Sequence, residues 1–551
     1  MHRLPPLIRE SLIVVLLATI VLVWYLEDSG WRWFDRLRSR LYLGIPWGTI
    51  FTVGVLLFVY LVVQRGFLFW YRPLALPFTS WSYRYPIGWF IAAFAHSDPS
   101  HLIGNLIGVL TIGPLAEYTI GHYPLRVTSR AGDGVESGRN RWLTDPRFRV
   151  FVVIPAGILG LSLVMTLFSW GPTIGFSNVI FVMVGVALVR YPLGVIVALT
   201  ARDALRLLIR ALRDPSVVTG PAPRFVDPWW ANVAIQGHLL GFLVGVLIGI
   251  QVYSRRNDSD RPSAIKLWIG SVLAAVSLSL WAVWWFHGIG RFVLFRALGV
   301  ILILLLATLV TVAVRATEQP TIGGLTRKQV AVLLLLLPVV SMAILAIPVN
   351  MSGQSGEVPN PDGAVTIRGF SITYAEDVPN PRTDSWLSDS DSNELSNQVS
   401  GVIVTHSEFP LWTRAVSQQS LAFSGGTVVR VGGITWVRTV FVKREGWRVT
   451  GGNVAYRIWL NPRHGRVYRS FHSGPARSSV VLDGRNFSIV PNPGGFQINV
   501  SENGSIIATA PVPRYGESVT VAGIRFRNQD GRLVAIANRT RVTIARSEQY
   551  Q

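Results

Sequence analysis

The chain has 551 residues, half of them hydrophobic and only 15% charged, with 51 Lys+Arg against 30 Asp+Glu. Soluble domains carry about 25% charge, so this composition, with a mean hydropathy of +0.40, excludes an ordinary water-soluble globule. The absence of cysteine excludes disulfide scaffolds, thiolate zinc sites, iron–sulfur clusters and cysteine nucleophiles.

A net charge of +21 first suggests a nucleic-acid partner. The distribution argues otherwise. Lysine occurs only at Lys266, Lys328 and Lys443, no Lys/Arg block is present, and the arginines fall mostly in short gaps between apolar runs. Membrane proteins distribute charge this way. The expected surroundings are a lipid bilayer, with no nucleic acid bound.

A bilayer span needs about 20 mostly apolar residues. Ten candidates follow in order: 11–26, 46–63, 101–120, 150–169, 176–190, 192–209, 231–253, 267–287, 292–314 and 329–349. No small-residue cleavage site follows the first, which is therefore no cleavable signal. The sixth is the weakest, because Arg202, Asp203, Arg206, Arg210 and Arg213 succeed its apolar start. These arginines share a helix face that suits a membrane interface. The basic loops around 27–46, 121–149 and 254–266 place the N-terminus outside by the positive-inside rule. Ten spans then return the C-terminus to the outside of the cell membrane.

Beyond residue 351 the apolar runs stop. The segment 351–400 reads as linker, its part 384–400 being rich in Ser, Asp and Asn. Short alternating runs with Gly turns follow at 401–406, 427–431, 435–443, 457–460, 487–490, 505–510, 518–526 and 533–544, the pattern of an all-β sandwich over 401–551. Asn-x-Ser/Thr triplets begin at Asn350, Asn486, Asn499, Asn503 and Asn538. They are glycosylation acceptors of an extracytoplasmic domain or chance triplets. Another begins at Asn257, in a loop assigned to the inside, and is expected to stay unmodified.

Ionisable and polar groups inside spans are costly and mark functional sites. Three such groups stand out: His96-x4-His101-x3-Asn105, Gly175-Phe176-Ser177-Asn178, and Gly237-His238-Leu239-Leu240-Gly241. They open spans three, five and seven, which all run from outside to inside, so topology places the three groups in one layer near the outer face. A serine hydroxyl becomes a nucleophile once a base takes its proton, and His238 can serve Ser177 as that base. His101, the Asn105 amide and the Ser177 backbone N–H can supply donors to an oxyanion. Phe181 lies one turn after Ser177, on the same helix face, where it can stack on His238. Gly241, Gly245 and Gly249 form a smooth face that lets helix backbones approach closely, which would bring His238 to Ser177. None of the remaining histidines clusters with carboxylates at metal-ligand spacing. His122, His287, His406, His464 and His472 read as surface or interface residues.

Together these motifs resemble the rhomboid family of intramembrane serine proteases, over about residues 47–253. The likeness includes Glu117, twelve residues after Asn105, together with Gly185 and Arg190. It implies a six-helix core with Ser177 as nucleophile and His238 as base, His101 and Asn105 as oxyanion donors, and His96 and Glu117 in supporting roles beside Gly175, Phe181 and Gly241. It implies no metal and no cofactor, and transmembrane proteins as substrates. Residues 1–46 and 254–350 would add one span with its basic loop and three further spans. Three positions depart from the family pattern. Asn178 replaces the glycine after the serine, and would crowd the oxyanion site or add a donor. Gly237 replaces the alanine before the base. Tyr83-Arg84 and Trp89 only approximate the Trp-Arg pair ahead of the first histidine.

Two rival readings remain. One is a non-catalytic scaffold of the same fold that binds client transmembrane helices, with the β-domain meeting a surface partner. The other, a transporter, lacks paired intramembrane carboxylates and a clear internal repeat.

Overall fold

The computed structural model describes residues 6–550 apart from 27–29, 124–144, 213–234, 255–261, 287–291, 317–319, 323–324, 353–355, 380, 382–397 and 463–467. It divides into two compact units, Met1–Gly353 and Gln354–Gln551. The Asn257 triplet, His287, His464 and most of the 384–400 segment lie outside the described residues.

The first unit is helical: α1 (Pro6–Leu26), α2 (Gly30–Arg40), α3 (Trp47–Val63), α4 (Pro86–Ile91), α5 (Pro99–Ile120), α6 (Pro146–Phe168), α7 (Ser177–Arg190), α8 (Pro192–Ala211), α9 (Ile235–Ser254), α10 (Ala264–Ser277), α11 (Arg296–Arg315) and α12 (Arg327–Ser352). Five of these, α5, α6, α9, α11 and α12, are long and apolar enough to cross a membrane; α3, α7 and α10 are shorter apolar helices. Sequence places the starts. Asp98 accepts from the N–H groups of Ser100 and His101, and Pro99 fills the first helical position of α5, where a missing N–H costs nothing. Ser263 caps α10 in the same way.

The centre of this unit is the α7–α9 pair. A Cβ on Gly241 or Gly245 would collide with the carbonyl oxygens of Asn178 and Val182, and one on Gly185 with the backbone of Phe242 and Val246. Glycine on both helices therefore permits backbone-to-backbone contact. Val184, Leu188, Phe242, Leu243 and Val246 are buried around it, with Ile112 and Ala116 of α5.

Two expectations change here. The eighth run, 267–287, is not one helix. α10 stops at Ser277, Ser279 takes a positive φ of 60°, and strand β1 (Trp284–Phe286) pairs antiparallel with β2 (Phe292–Leu294). Tryptophan and phenylalanine favour strands, and hydropathy alone does not separate an aromatic hairpin from a helix end. Arg202, Arg206 and Arg210 lie within α8, which runs to Ala211, and the first two also face protein, while Arg213 lies outside the described residues. The Arg202 guanidinium donates to Ser277 Oγ at 3.3 Å, and Arg206 lies against Gly104 of α5. A short hairpin, β3 (Pro320–Ile322) with β4 (Leu325–Thr326), precedes α12.

The second unit is β-rich. Strands β5 (Val365–Ile367), β6 (Phe370–Pro379), β7 (Gln398–His406) and β8 (Trp412–Ser417) form one four-stranded sheet. The segment read as linker thus supplies two complete strands. A short helix, α13 (Gln418–Ser424), leads to β9 (Gly426–Gly432), β10 (Val437–Val449), β11 (Val454–Pro462) and β12 (Tyr468–His472). Then come β13 (Ala476–Leu482), β14 (Arg485–Asn492), β15 (Gly495–Glu502) and β16 (Ser505–Pro511), a second four-stranded sheet. The chain closes with β17 (Ser518–Val521), β18 (Ile524–Gln529), β19 (Arg532–Ala537) and β20 (Thr540–Ser547). An eight-stranded sheet runs β12-β11-β10-β20-β19-β18-β17, with β9 also on β10.

The runs 518–526 and 533–544 are each two strands. Ala522 and Gly523 (φ 48° and 73°), and Asn538 (φ 52°), make the tight turns between them. Two-residue hairpin loops favour such left-handed positions. Phe487, Ile489, Ile498 and Val500 of the β13–β16 sheet pack on Phe526, Leu533, Ala535 and Ile544 of the large sheet. That part is the sandwich; the β5–β8 sheet is an addition to it. A buried polar knot ties that sheet on. Arg444 of β10 makes a two-pronged ion pair with Glu548 (2.9 and 3.0 Å) and lies 3.6 Å over the Tyr456 ring, whose hydroxyl bonds Glu376 of β6.

Candidate active site

Ser177 is the first residue of α7, and His238 lies in the first turn of α9. The close contact of these two helices fixes the distance between their side chains. His238 Nε2 and Ser177 Oγ are 2.8 Å apart, a good hydrogen bond. The Phe181 ring stacks on the imidazole, with centroids 4.1 Å apart and planes within 13°. A stacked ring holds the imidazole plane without any carboxylate partner.

Around the serine stand polar groups from α5 and the preceding loop. Gly175 has φ +110°, and the His101 ring atoms Cε1 and Nε2 lie 2.5 Å from where a Cβ on it would stand. Asn105 Nδ2 is 3.4 Å from the same point. Only glycine lets His101 and Asn105 come so near the backbone that leads into Ser177. As the first residue of α7, Ser177 has an N–H outside the intrahelical ladder, at the positive end of the helix dipole.

His96 is fully buried and sits behind this layer. Its Nε2 is 2.9 Å from Asn105 Nδ2, and its ring meets His101 edge-on at 5.0 Å between centroids. Its backbone is gripped by Gln64, whose amide accepts from His96 N at 2.8 Å and donates to His96 O at 2.7 Å. Sequence reasoning passed over Gln64; its signal was a lone amide closing an apolar run.

Glu117 stands apart from this group, sixteen residues along α5 from His101, about 24 Å at the helical rise. It accepts from the N–H groups of Gly48 (2.7 Å) and Thr49 (2.9 Å) at the start of α3, and pairs with His122 Nε2 at 2.7 Å. A carboxylate at a helix N-terminus meets unpaired N–H donors and a favourable dipole. His122 is not a surface residue, since it is fully buried and its Nδ1 accepts from Tyr42 N.

The departures at 178 and 237 form one arrangement. Asn178 is buried, and its Nδ2 donates to Ser169 Oγ at 2.8 Å, which commits the amide nitrogen, while its Oδ1 is buried with no hydrogen-bond partner among the described residues. A Cβ on Gly237 would stand 2.8 Å from both Asn178 Nδ2 and Ser169 Oγ. Removing the methyl group at 237 makes room for the amide at 178.

Asn350 corrects another expectation. As a glycosylation acceptor it would need an exposed amide, but it is buried. Its Nδ2 donates to Leu167 O (3.1 Å) and Ser169 O (2.8 Å), its Oδ1 accepts from Gly171 N (3.0 Å), and its carbonyl accepts from Tyr83 N (3.0 Å). Tyr83 Oη also donates to Leu167 O at 2.6 Å. Trp170 Nε1 adds a bond to Met342 O of α12. The last helix of the unit thus holds the loop between α6 and Ser177 from behind. An apolar cavity of about 550 Å³ lies elsewhere, lined by Gly48, Glu117, Arg149, Val182 and Met183 among others, and it includes neither Ser177 nor His238.

The long apolar helices and this fold define an α-helical integral membrane protein. Residues 138–255, about a fifth of the chain, match the family model described as Rhomboid domain. The chain therefore contains a rhomboid domain. The matched stretch holds Ser177 and His238, while His96, His101, Asn105 and Glu117 precede it. No curated protein and no solved structure matches the chain.

Proposed function

We propose that the protein is an intramembrane serine endopeptidase that cleaves transmembrane helices near the outer face through a Ser177–His238 dyad. The observation that carries this reading is the 2.8 Å hydrogen bond between His238 Nε2 and Ser177 Oγ, with Phe181 holding the ring and a set of donors beside it. In this mechanism Ser177 Oγ attacks the scissile carbonyl carbon while its proton passes to His238 Nε2. Negative charge develops on the carbonyl oxygen. The Ser177 N–H, the Asn105 amide and His101 are the groups placed to receive it. His238 then returns the proton to the leaving amide nitrogen, which departs and leaves an acyl-enzyme. Water, deprotonated by the same imidazole, then attacks the acyl carbon; the bond to Ser177 Oγ breaks, the imidazolium returns its proton to Oγ, and the second fragment leaves as a carboxylic acid. No step needs a metal or a cofactor.

A helical peptide bond is shielded by its own hydrogen bonds, so a substrate segment must open before attack. Segments rich in Gly, Ala or Ser near the outer interface are the expected substrates. The same reading places the enzyme in the cell membrane, with Gln354–Gln551 on the outer side, free to meet a surface partner. Ser177→Ala should abolish both cleavage of a model transmembrane substrate in proteoliposomes and labelling by a serine-directed phosphonate. Cleavage that persists in this variant would overturn the assignment. Folded wild-type protein that never labels would instead support the non-catalytic scaffold that binds client helices.

A further inference from the structure

The outward face of the large sheet in the second unit carries an unusual composition. Along β19, β18 and β17 side chains alternate, as they do along β20 except at a bulge where Ile544 and Ala545 are both buried. Phe526, Leu533, Ala535 and Ala545 point to the core, and the alternate positions point out. Register sets the outward residues in rows. The first runs Arg448, Arg546, Arg532 and Gln529, each directly opposite the next on neighbouring strands. The second runs Thr543, Val534, Arg527 and Ser518. The third runs Arg541, Ile536, Arg525 and Thr520. These twelve positions hold six arginines, no carboxylate and no aromatic ring. All six arginines are exposed, and among the described residues none of them forms an ion pair.

Folding does not call for this. Like charges directly opposite across a sheet are destabilising, and three arginines in one row set them one strand spacing apart. Solubility would be served as well by alternating signs. A bound anion would supply the missing counter-charge. Arginine's planar fork suits phosphate oxygens two at a time. A hollow of about 740 Å³ lies over the first row, lined by Arg448, Arg532, Arg546, Thr543 and Gln529, and also by Asp530 and Glu548, whose carboxylates are engaged by the Tyr515 hydroxyl and by Arg444.

We propose that this face binds the phosphate headgroups of anionic phospholipids. Three features favour a lipid surface over other polyanions. The charges form a two-dimensional array of about 14 by 14 Å at strand spacings, whereas a single stripe would suit a linear polymer. The absence of aromatic rings leaves no platform on which nucleic-acid bases stack. The chain also limits the reach of the unit. Twelve residues lie between Ser352, the end of α12, and Val365, at most about 45 Å when fully extended, so the start of β5 stays tethered within that distance of the end of α12.

The test uses the full-length protein in nanodiscs of phosphatidylcholine alone or with one-third phosphatidylglycerol, and reads phenylglyoxal modification of each arginine by mass spectrometry. In the anionic discs Arg448, Arg525, Arg527, Arg532, Arg541 and Arg546 should react severalfold more slowly, and 0.5 M salt should remove the protection. Exposed Arg414 and Arg477, off this face, should react equally in both. The triple variant Arg448→Gln, Arg532→Gln, Arg546→Gln, whose changes are all at exposed positions, should lose most of the protection at the remaining three. Equal reactivity of the six in both discs overturns the proposal. So does protection by a soluble acidic polysaccharide or acidic protein that anionic lipid does not give. The readout does not depend on proteolysis, so it stands or falls separately from the active-site reading.

Discussion

Asn350 is the sharpest place to test how the last helix of the membrane unit serves the active site. Asn350→Ala removes three side-chain hydrogen bonds, to Leu167 O, Ser169 O and Gly171 N. Leu167 O keeps the Tyr83 hydroxyl; among the described residues no second side chain stands in for Asn350 at Ser169 O or Gly171 N. At about 1 kcal/mol net per bond the loss is about 3 kcal/mol. These bonds hold the loop that runs to Gly175 and Ser177 and that carries Ser169, the partner of Asn178. If about 2 kcal/mol of the loss falls on the productive loop arrangement, the competent fraction drops roughly thirtyfold. The assay pairs phosphonate labelling of Ser177 with steady-state cleavage in proteoliposomes, at a temperature where both proteins are folded. Labelling rate and kcat should fall together while KM stays put, because Asn350 touches the loop and not the substrate path. Asn350→Asp keeps an acceptor for Gly171 N but turns an oxygen toward two carbonyls, and should be no better than alanine. A folded Asn350→Ala protein that labels and cleaves at the wild-type rate would refute the reasoning.

Other consequences follow from the same packing. Gly237→Ala alone should cost about 2 kcal/mol of stability through overpacking against Asn178 and Ser169. Combining it with Asn178→Gly should recover most of that loss; additive penalties in thermal unfolding would break the coupling argued for this pair. Glu117→Gln keeps the shape but removes the charge that meets the Gly48 and Thr49 N–H groups and His122, and should destabilise the membrane unit by about 3 kcal/mol, seen as a lower unfolding temperature with Ser177 labelling intact at low temperature. In the β unit, burial raises the Glu445 carboxyl, but hydrogen bonds from Lys443 and Arg457 outweigh it and hold its pKa below the ordinary value. A carboxyl depressed on folding stabilises above its unfolded pKa and loses that contribution as pH falls through the folded one. The stability gap between wild type and Glu445→Gln should therefore be full at pH 7 and close below about pH 4; a gap that widens in acid would contradict the sign.

The legibility of this molecule follows from the range over which each signal acts. Ser177, Phe181, His238 and Gly241 could be read because helix period and close glycine packing act within one or two turns, and the α7–α9 contact then converts spacing into distance. His101, Asn105 and Gly175 were readable for the same reason, since a glycine is the only residue that admits two ring atoms so near its backbone. Asn350 was not, because its partners lie about 180 residues earlier in the chain and a three-residue triplet offered a local explanation of the same amide. β6 and β15 escaped notice in different ways. β6 starts with a continuous buried run instead of an alternation, and β15 buries only Ile498 and Val500 among polar neighbours. The arginine face escaped because strand alternation shows that Arg525, Arg527, Arg532, Arg541 and Arg546 point away from the core, while only the register across strands shows that they are neighbours. A one-residue slip in any pairing would scatter them. The register that buries Phe526, Leu533 and Ala545 therefore also gathers the charge, so any ligand of that face reports on the same pairing that builds the core.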